Sequence, residues 1–273
     1  MPPIWMRFPN ISQYSIGWRM GYGEDYKCQW SDWLDTLSPT EQSQYQILFP
    51  PPIFWREYYN ADFDYADILD YECEDVQLWR KKGEMKYSLA TIRQPQETSS
   101  FLFFWRPEAG VINSSCLGQW QPSYFEVDMD TYSCTEQYMM AEKARLFEDE
   151  ETEALIMATT DPKKMKALGK KVKNFNQTTW DKAKYAIVLN GNYYKFAQNK
   201  AMRDFLLATG DQILVEASPL DTIWGIGLAE EDPQARDISS WKGQNLLGFA
   251  LMEVRDELRK LYQNDDRIPW DKF

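Results

Sequence analysis

The strongest constraint on the fold of this chain is a change of hydrophobic periodicity near residue 135. Beyond it, apolar residues recur every three or four positions in segment after segment, the spacing of one face of an α-helix. Thr135 is placed to cap the first of these helices, and Tyr138, Met139, Ala141, Ala144, Arg145 and Phe147 continue it. Asp161-Pro162 opens a second, because Asp accepts N–H bonds at a cap and Pro suits the first turn; Met165, Leu168 and Val172 supply its apolar face. Trp180 to Leu189 and Asn199 to Leu207 read as two more, the latter stopped at Thr209-Gly210. Asn245 to Tyr262 reads as a long amphipathic helix with Leu247, Leu251, Val254, Leu258 and Leu261 on one side. Strand-like runs are few: FLFFW at 101–105, Glu126 to Tyr132, and ILVEAS at 213–218, the last with the continuous apolar character of a buried strand.

Residues 1–99 follow neither period. They are rich in Trp and Tyr, are broken by Pro50, Pro51 and Pro52, and pass through an acidic, aromatic run from Asp62 to Asp75. Short helices and loops packed by aromatic rings are the expectation there. At 273 residues, with 44% hydrophobic and 15% aromatic content, the chain can bury a sizeable core, and disordered or fibrous classes are excluded. No basic segment followed by an apolar one opens it, and no stretch approaches 18 consecutive apolar residues. The four cysteines, Cys28, Cys73, Cys116 and Cys134, have no CxxC spacing. A soluble cytoplasmic protein with free thiols is expected.

The chain contains no histidine. A Ser-His-Asp or Cys-His nucleophile, a His-ligated zinc and a His-bound haem are therefore impossible within it, and acid–base chemistry falls to Asp, Glu, Lys, Tyr or Cys. The net charge of −12 repels nucleic acid and anionic membrane as a whole, yet residues 161–203 carry 11 basic and 2 acidic groups. Such a block is either a lysine-covered solvated face or a site for a phosphorylated or nucleotide ligand. No phosphate-binding loop of GxxxxGK[ST] or GxGxxG form is present.

Three constellations carry candidate chemistry. Glu136 and Lys143 lie seven residues apart, close to two helical turns, so both leave the same face with Met140 between them; they act together, or they form an exposed stabilising pair. The segment VEASPLDTIWGIGLAEEDP, residues 215–233, delivers Asp221 and Trp224 from irregular backbone beside Gly225 and Gly227. Tryptophan can stack on a planar base while the Asp handles protons or ribose hydroxyls, or the same residues form a buried Trp held by a Gly-rich turn. GNYYKFAQN, residues 191–199, groups Lys195, Gln198 and Asn199 as donors suited to a polar, phosphate-bearing ligand, although such residues also cap helices.

The ordered motifs EQYMMAEKARLF, DPKKMKALGKKVKNF with Trp180, IVLNGNYYKFAQN, LLATGDQILVEASPLDTIWGIGL and WKGQNLLGFALMEVR resemble the NADAR (YbiA-like) N-glycosidase family over residues 100–262. WRMGYGEDY, FPPP and Trp55 resemble the extension of its longer members. The resemblance implies an α-rich α+β fold with several helices around a small β-sheet. It divides the chain into an N-terminal extension (1–99), a catalytic domain (100–262) and a C-terminal tail (263–273). It also implies hydrolysis of a bond between ribose and a base or amine, on a phosphoribosylamino-pyrimidine intermediate of riboflavin synthesis or on ADP-ribose attached to guanine in nucleic acid, with no cofactor, metal or membrane. Carried over by position, Glu136, Lys143 and Asp221 are the catalytic residues. Gln119 and Trp120 of GQW, Trp180, Lys195, Gln198, Asn199, Trp224 and Gly225 bind substrate. Relatives commonly have His where this chain has Gln137, so a proton shuttle at that position is not expected.

Two routes stay open. A carboxylate, Glu136 or Asp221, stabilises positive charge at the anomeric carbon and activates water while Trp180 and Trp224 stack on the base, each face contributing about 1–3 kcal/mol. Alternatively Lys143 forms a Schiff base with the ring-opened sugar, which needs a neutral amine. The competing function is a nucleotide or ADP-ribose binding module without turnover.

Overall fold

The helical periodicity beyond residue 135 is realised as six α-helices in the computed structural model, which describes residues 1–13, 15–55, 58–59, 85–92 and 100–273. The acidic run from Asp62 to Asp75, with Cys73, lies outside those residues. Among the described residues, three α-helices come first: α1 (Ile4–Arg7), α2 (Tyr22–Asp35) and α3 (Pro39–Leu48). Then follow α4 (Thr135–Leu146), α5 (Glu150–Met157), α6 (Pro162–Gly169), α7 (Gln177–Gln198), α8 (Lys200–Ala208) and α9 (Leu246–Tyr262).

Local chemistry explains most boundaries. The Asp161 carboxylate accepts from Lys163 N at 2.9 Å, with Pro162 in the first turn, as the sequence predicts. Asp149 caps α5 through Thr152 N, 3.2 Å, a helix the apolar pattern did not disclose because it is short and acidic in its first turn. Cys134 rather than Thr135 occupies the cap of α4. The Thr135 hydroxyl is spent elsewhere, donating to the Gln119 carbonyl at 3.2 Å. Helix α7 is longer than expected and runs unbroken through Gly191. A Cβ at Gly191 would lie 2.7 Å from Tyr138 Cδ1, so glycine here is what lets α7 lie against α4.

Strand β1 (Phe101–Phe104) pairs in parallel with β4 (Ile213–Glu216), Phe101 opposite Ile213 and Phe104 opposite Glu216. The expected strand from Glu126 to Tyr132 is instead two strands, β2 (Phe125–Val127) and β3 (Asp130–Tyr132), folded back on each other at Asp128, whose φ is 55°. The other edge of β4 is closed by a side chain. Asn245, in the left-handed region at φ 54°, accepts from Glu216 N at 3.0 Å and donates to Leu214 O at 2.9 Å.

The chain is thus an α-rich α+β fold in which α4 packs on α5, α6 and α7, and α9 packs on α7 and β4. Leu247, Leu251, Val254, Leu258 and Leu261 of α9 are all buried, each such side chain contributing about 1.5–3 kcal/mol. Trp5, Trp18, Trp30, Trp55 and Tyr45 belong to the same continuous cluster, with Trp5 edge-on to Trp30 and Trp55 at 6.2 and 5.8 Å. Polar ties add to this: Asp128 N donates to Asn10 O (2.8 Å), Asn264 Nδ2 to Leu48 O (2.9 Å) and the Tyr87 hydroxyl to Asp256 (2.6 Å). Cys28, Cys116 and Cys134 are free thiols, and no described helix is long and apolar enough to cross a membrane.

Candidate active site

A site forms where β4 ends and the N-terminal turn of α4 meets α6. Glu136, the second residue of α4, is 3% exposed, and its backbone N–H donates to Gln119 O at 3.0 Å. A helix N-terminus normally favours an ionised carboxylate, but here burial prevails. Desolvation pushes the Glu136 carboxyl up to about 7, the negative charge of Asp221 adds to the rise, and the Lys166 charge and a hydrogen bond from Trp120 oppose it. Glu136 Oε1 is buried without a hydrogen-bond partner.

Asp221 is fixed by its own loop. Oδ1 accepts from Ile223 N at 2.9 Å and Trp224 N at 2.8 Å, while Oδ2 faces Lys166 Nζ at 3.9 Å. The loop folds tightly onto the strand end because residue 225 is glycine: a Cβ there would stand 2.7 Å from Glu216 O and 3.1 Å from Asp221 O. Trp224 is half-buried, its carbonyl accepting from Leu247 N at 3.1 Å. The Trp120 ring lies 6.0 Å from Lys166 Nζ.

Two members of this cluster were not singled out by sequence reasoning. Glu216, the last residue of β4, has its carboxyl pushed up to about 8, chiefly by burial and then by the negative charges of Asp221 and Glu136, with Lys166 opposing. Its Oε2 is buried without a partner. The available signal was an acid closing an otherwise apolar strand, ILVE. Lys166 carried no signal that set it apart from the ten other cations of the basic block.

Lys143 lies two turns along α4. Its Nζ donates to Gly169 O at 2.8 Å and sits over the rings of Phe175 (4.2 Å) and Trp180 (5.2 Å); burial lowers its pKa. Gly169 follows Lys166 by one turn of α6, about 4.5 Å along the axis. The Glu136–Asp221–Lys166 group and the Lys143–Trp180 group therefore adjoin along one helix.

The remaining predicted residues sit deeper or to the side. Lys195 is fully buried and donates to Gly118 O at 3.0 Å; burial lowers its amine to about 8. Gln119 is buried, its Nε2 against Met139 Sδ at 3.6 Å and its Oε1 unpartnered. The Gln198 amide clamps Glu126 of β2, accepting from its N–H at 2.8 Å and donating to its carbonyl at 2.6 Å. Asn199 donates to Tyr124 O at 3.0 Å. Gln137 accepts from Ser133 N at 2.7 Å and donates to Ile156 O at 3.1 Å, tying α4 to the end of α5. Among the described residues no three Cys, Asp or Glu side chains are grouped to hold a metal ion.

Fold and site together define a helix-rich α+β protein in which the buried carboxyls of Glu136 and Glu216 lie near the more exposed Asp221–Lys166 pair and beside indole rings. Residues 103–259, more than half the chain, match the NADAR domain, and the chain belongs to that family. An N-glycosidase of Acanthamoeba polyphaga mimivirus is 42% identical over 166 residues, 59% of this chain and 98% of that relative. An N-glycosidase of Nostoc punctiforme is 33% identical over 165 residues, 60% of this chain and 94% of that relative. N-glycosidase YbiA of Escherichia coli is 30% identical over 133 residues, 49% of this chain and 74% of its own. The solved structure of YbiA covers 58% of this chain and 88% of that one, with 24% identity and a TM-score of 0.45.

Proposed function

We propose that this protein is an N-glycosidase, hydrolysing the bond between ribose and a nitrogen of a base or amine. The observation that carries the reading is Glu136: a buried carboxyl with one unpartnered oxygen, pushed up to about 7 by its burial, beside Asp221, Lys166 and Trp120. Departure of the nitrogen leaves an oxocarbenium-like sugar, which a carboxylate stabilises while drawing a proton from water. A module that only binds has no use for such a group, and the relatives named N-glycosidase support turnover.

The substrate is a phosphorylated riboside, either a phosphoribosylamino-pyrimidine or ADP-ribose on guanine. Exposed Lys163, Lys164, Lys170 and Lys171 along and just beyond α6, the helix that supplies Lys166, support an anionic ligand. Trp120, Trp180 and Trp224 supply stacking faces. Lys195, Gln198, Asn199 and Gln119 serve binding indirectly, by fixing the Gly118–Trp120 segment and the β2–β3 hairpin. Residues 100–262 form the catalytic unit, with 1–99 its extension and 263–273 a tail; the free thiols fit a cytoplasmic location.

The Lys143 route draws support from the burial that lowers its amine pKa, a shift toward the neutral nucleophile. Borohydride added during turnover traps a sugar adduct on Lys143 if this route operates and none if water attacks directly. Incubating the protein separately with the ribosylamine phosphate and with an ADP-ribosylated guanine oligonucleotide, and following released base by chromatography, tests the function. Turnover of one names the substrate; binding of either without turnover identifies a binding module and overturns the reading.

A further inference from the structure

We propose that Glu216 is a second catalytic carboxyl of this site, the proton donor to the departing nitrogen, with Glu136 as the base toward water. This rests on the N-glycosidase reading above.

The backbone of Glu216 is fixed by its strand pairing, by the Asn245 side chain and by the loop that follows. It closes β4 opposite Phe104, its N–H is held by Asn245 Oδ1 at 3.0 Å, its carbonyl accepts from Ile226 N at 3.0 Å, and Gly225 is pressed against that carbonyl. The charged groups that act on its carboxyl come from three other elements: Glu136 of α4, Asp221 of the loop after β4 and Lys166 of α6. Three carboxyls against one lysine cannot all ionise without strong mutual repulsion, so at least one proton is retained among them.

Glu216 Oε2 and Glu136 Oε1 share a further property. Both are buried, and neither has a hydrogen-bond partner. An unpartnered buried polar atom carries an uncompensated desolvation cost. A purely structural buried glutamate avoids that cost: Glu253 accepts from the Tyr185 hydroxyl at 2.9 Å and from Lys86 N at 2.8 Å. Two unpartnered carboxyl oxygens in one electrostatically linked cluster suit hydrogen bonds to a substrate nitrogen and a water. Glu136 lies in the first turn of α4, where the helix N-terminus and a hydrogen bond from Trp120 favour its ionised form, whereas Glu216 closes a strand without that support, so the retained proton falls on Glu216, whose carboxyl burial pushes up.

The step balances without a co-reactant. As the bond from the anomeric carbon to nitrogen breaks, its electron pair goes to nitrogen, which takes the Glu216 proton. Water oxygen bonds the anomeric carbon, and its proton goes to Glu136. Glu216 ends ionised and Glu136 protonated, and transfer of that proton back to Glu216 restores the site.

The test is steady-state hydrolysis of the substrate that the wild-type protein turns over, across pH 5–10, with Glu216→Gln and Glu216→Asp. Loss of a general acid typically costs 10²–10⁴-fold. Glu216→Gln is expected to lower kcat at least about 100-fold with KM nearly unchanged, and to abolish the alkaline fall of kcat/KM; Glu216→Asp recovers part of the rate. A Glu216→Gln protein with near wild-type kcat, or with the alkaline limb intact, overturns the proposal. If that variant melts below the assay temperature, Glu216→Asp decides: a displaced alkaline limb supports the role and an unmoved one overturns it. Absence of hydrolysis by the wild-type protein would instead remove the N-glycosidase reading itself.

Discussion

Glu136 stands where two local rules conflict. Its place in the first turn of a helix favours the carboxylate, whereas its burial favours the acid, and the acid gains. The consequence for stability has a definite sign. The folded state holds the Glu136 proton more tightly than the unfolded chain does, so its contribution is full below about pH 4.5 and is lost as pH rises through about 7. Glu136→Gln, neutral at every pH, is therefore expected to melt near the wild type at pH 4.5 and several degrees above it at pH 8. The difference approaches roughly 3 kcal/mol; melts at the two pH values check it, and an equal offset at both contradicts it. The sequence motifs pointed to Glu136, Asp221 and Lys143 because residue type and order suffice for that. Glu216 and Lys166 escaped because what distinguishes them is the burial of the Glu216 carboxyl and the meeting of three elements, which no local spacing encodes.

Among elements, the helices were legible where an apolar face recurs over several turns, as in α9, and where a cap is written plainly, as at Asp161-Pro162. They were not legible where tertiary packing decides. Helix α7 continues through Gly191 because that glycine fits beneath Tyr138 of α4, a contact no propensity scale contains. The apparent strand at 126–132 is a hairpin because Asp128 adopts a left-handed turn and Gln198 clamps Glu126. Gly191→Ala is expected to destabilise the protein by about 1–3 kcal/mol, although alanine is the better helix former in isolation. Chemical denaturation measures this, and an unchanged or raised stability would show that α4 and α7 can separate freely.

At the scale of the whole molecule, the N-terminal residues raise a question that composition left open. The mimivirus relative is matched over 98% of its length by 59% of this chain, so a family member can do without such a segment. Here the described part of it shares one hydrophobic cluster with α4, α7 and α9 and is bonded to the β2–β3 hairpin, to α9 and to the residues just beyond it. Residues 100–273 expressed alone are accordingly expected to aggregate or to melt well below the full chain, and an equally stable truncated protein would contradict that integration. The absence of histidine, which first only excluded reaction classes, suits a site in which burial tunes carboxyls and amines toward neutrality. The most direct measurement is release of free base from the ribosylated substrate by wild type and Glu136→Gln, with substrate affinity measured on both. The account predicts at least a hundredfold loss of hydrolysis with affinity within a few-fold; hydrolysis undiminished in Glu136→Gln would contradict it.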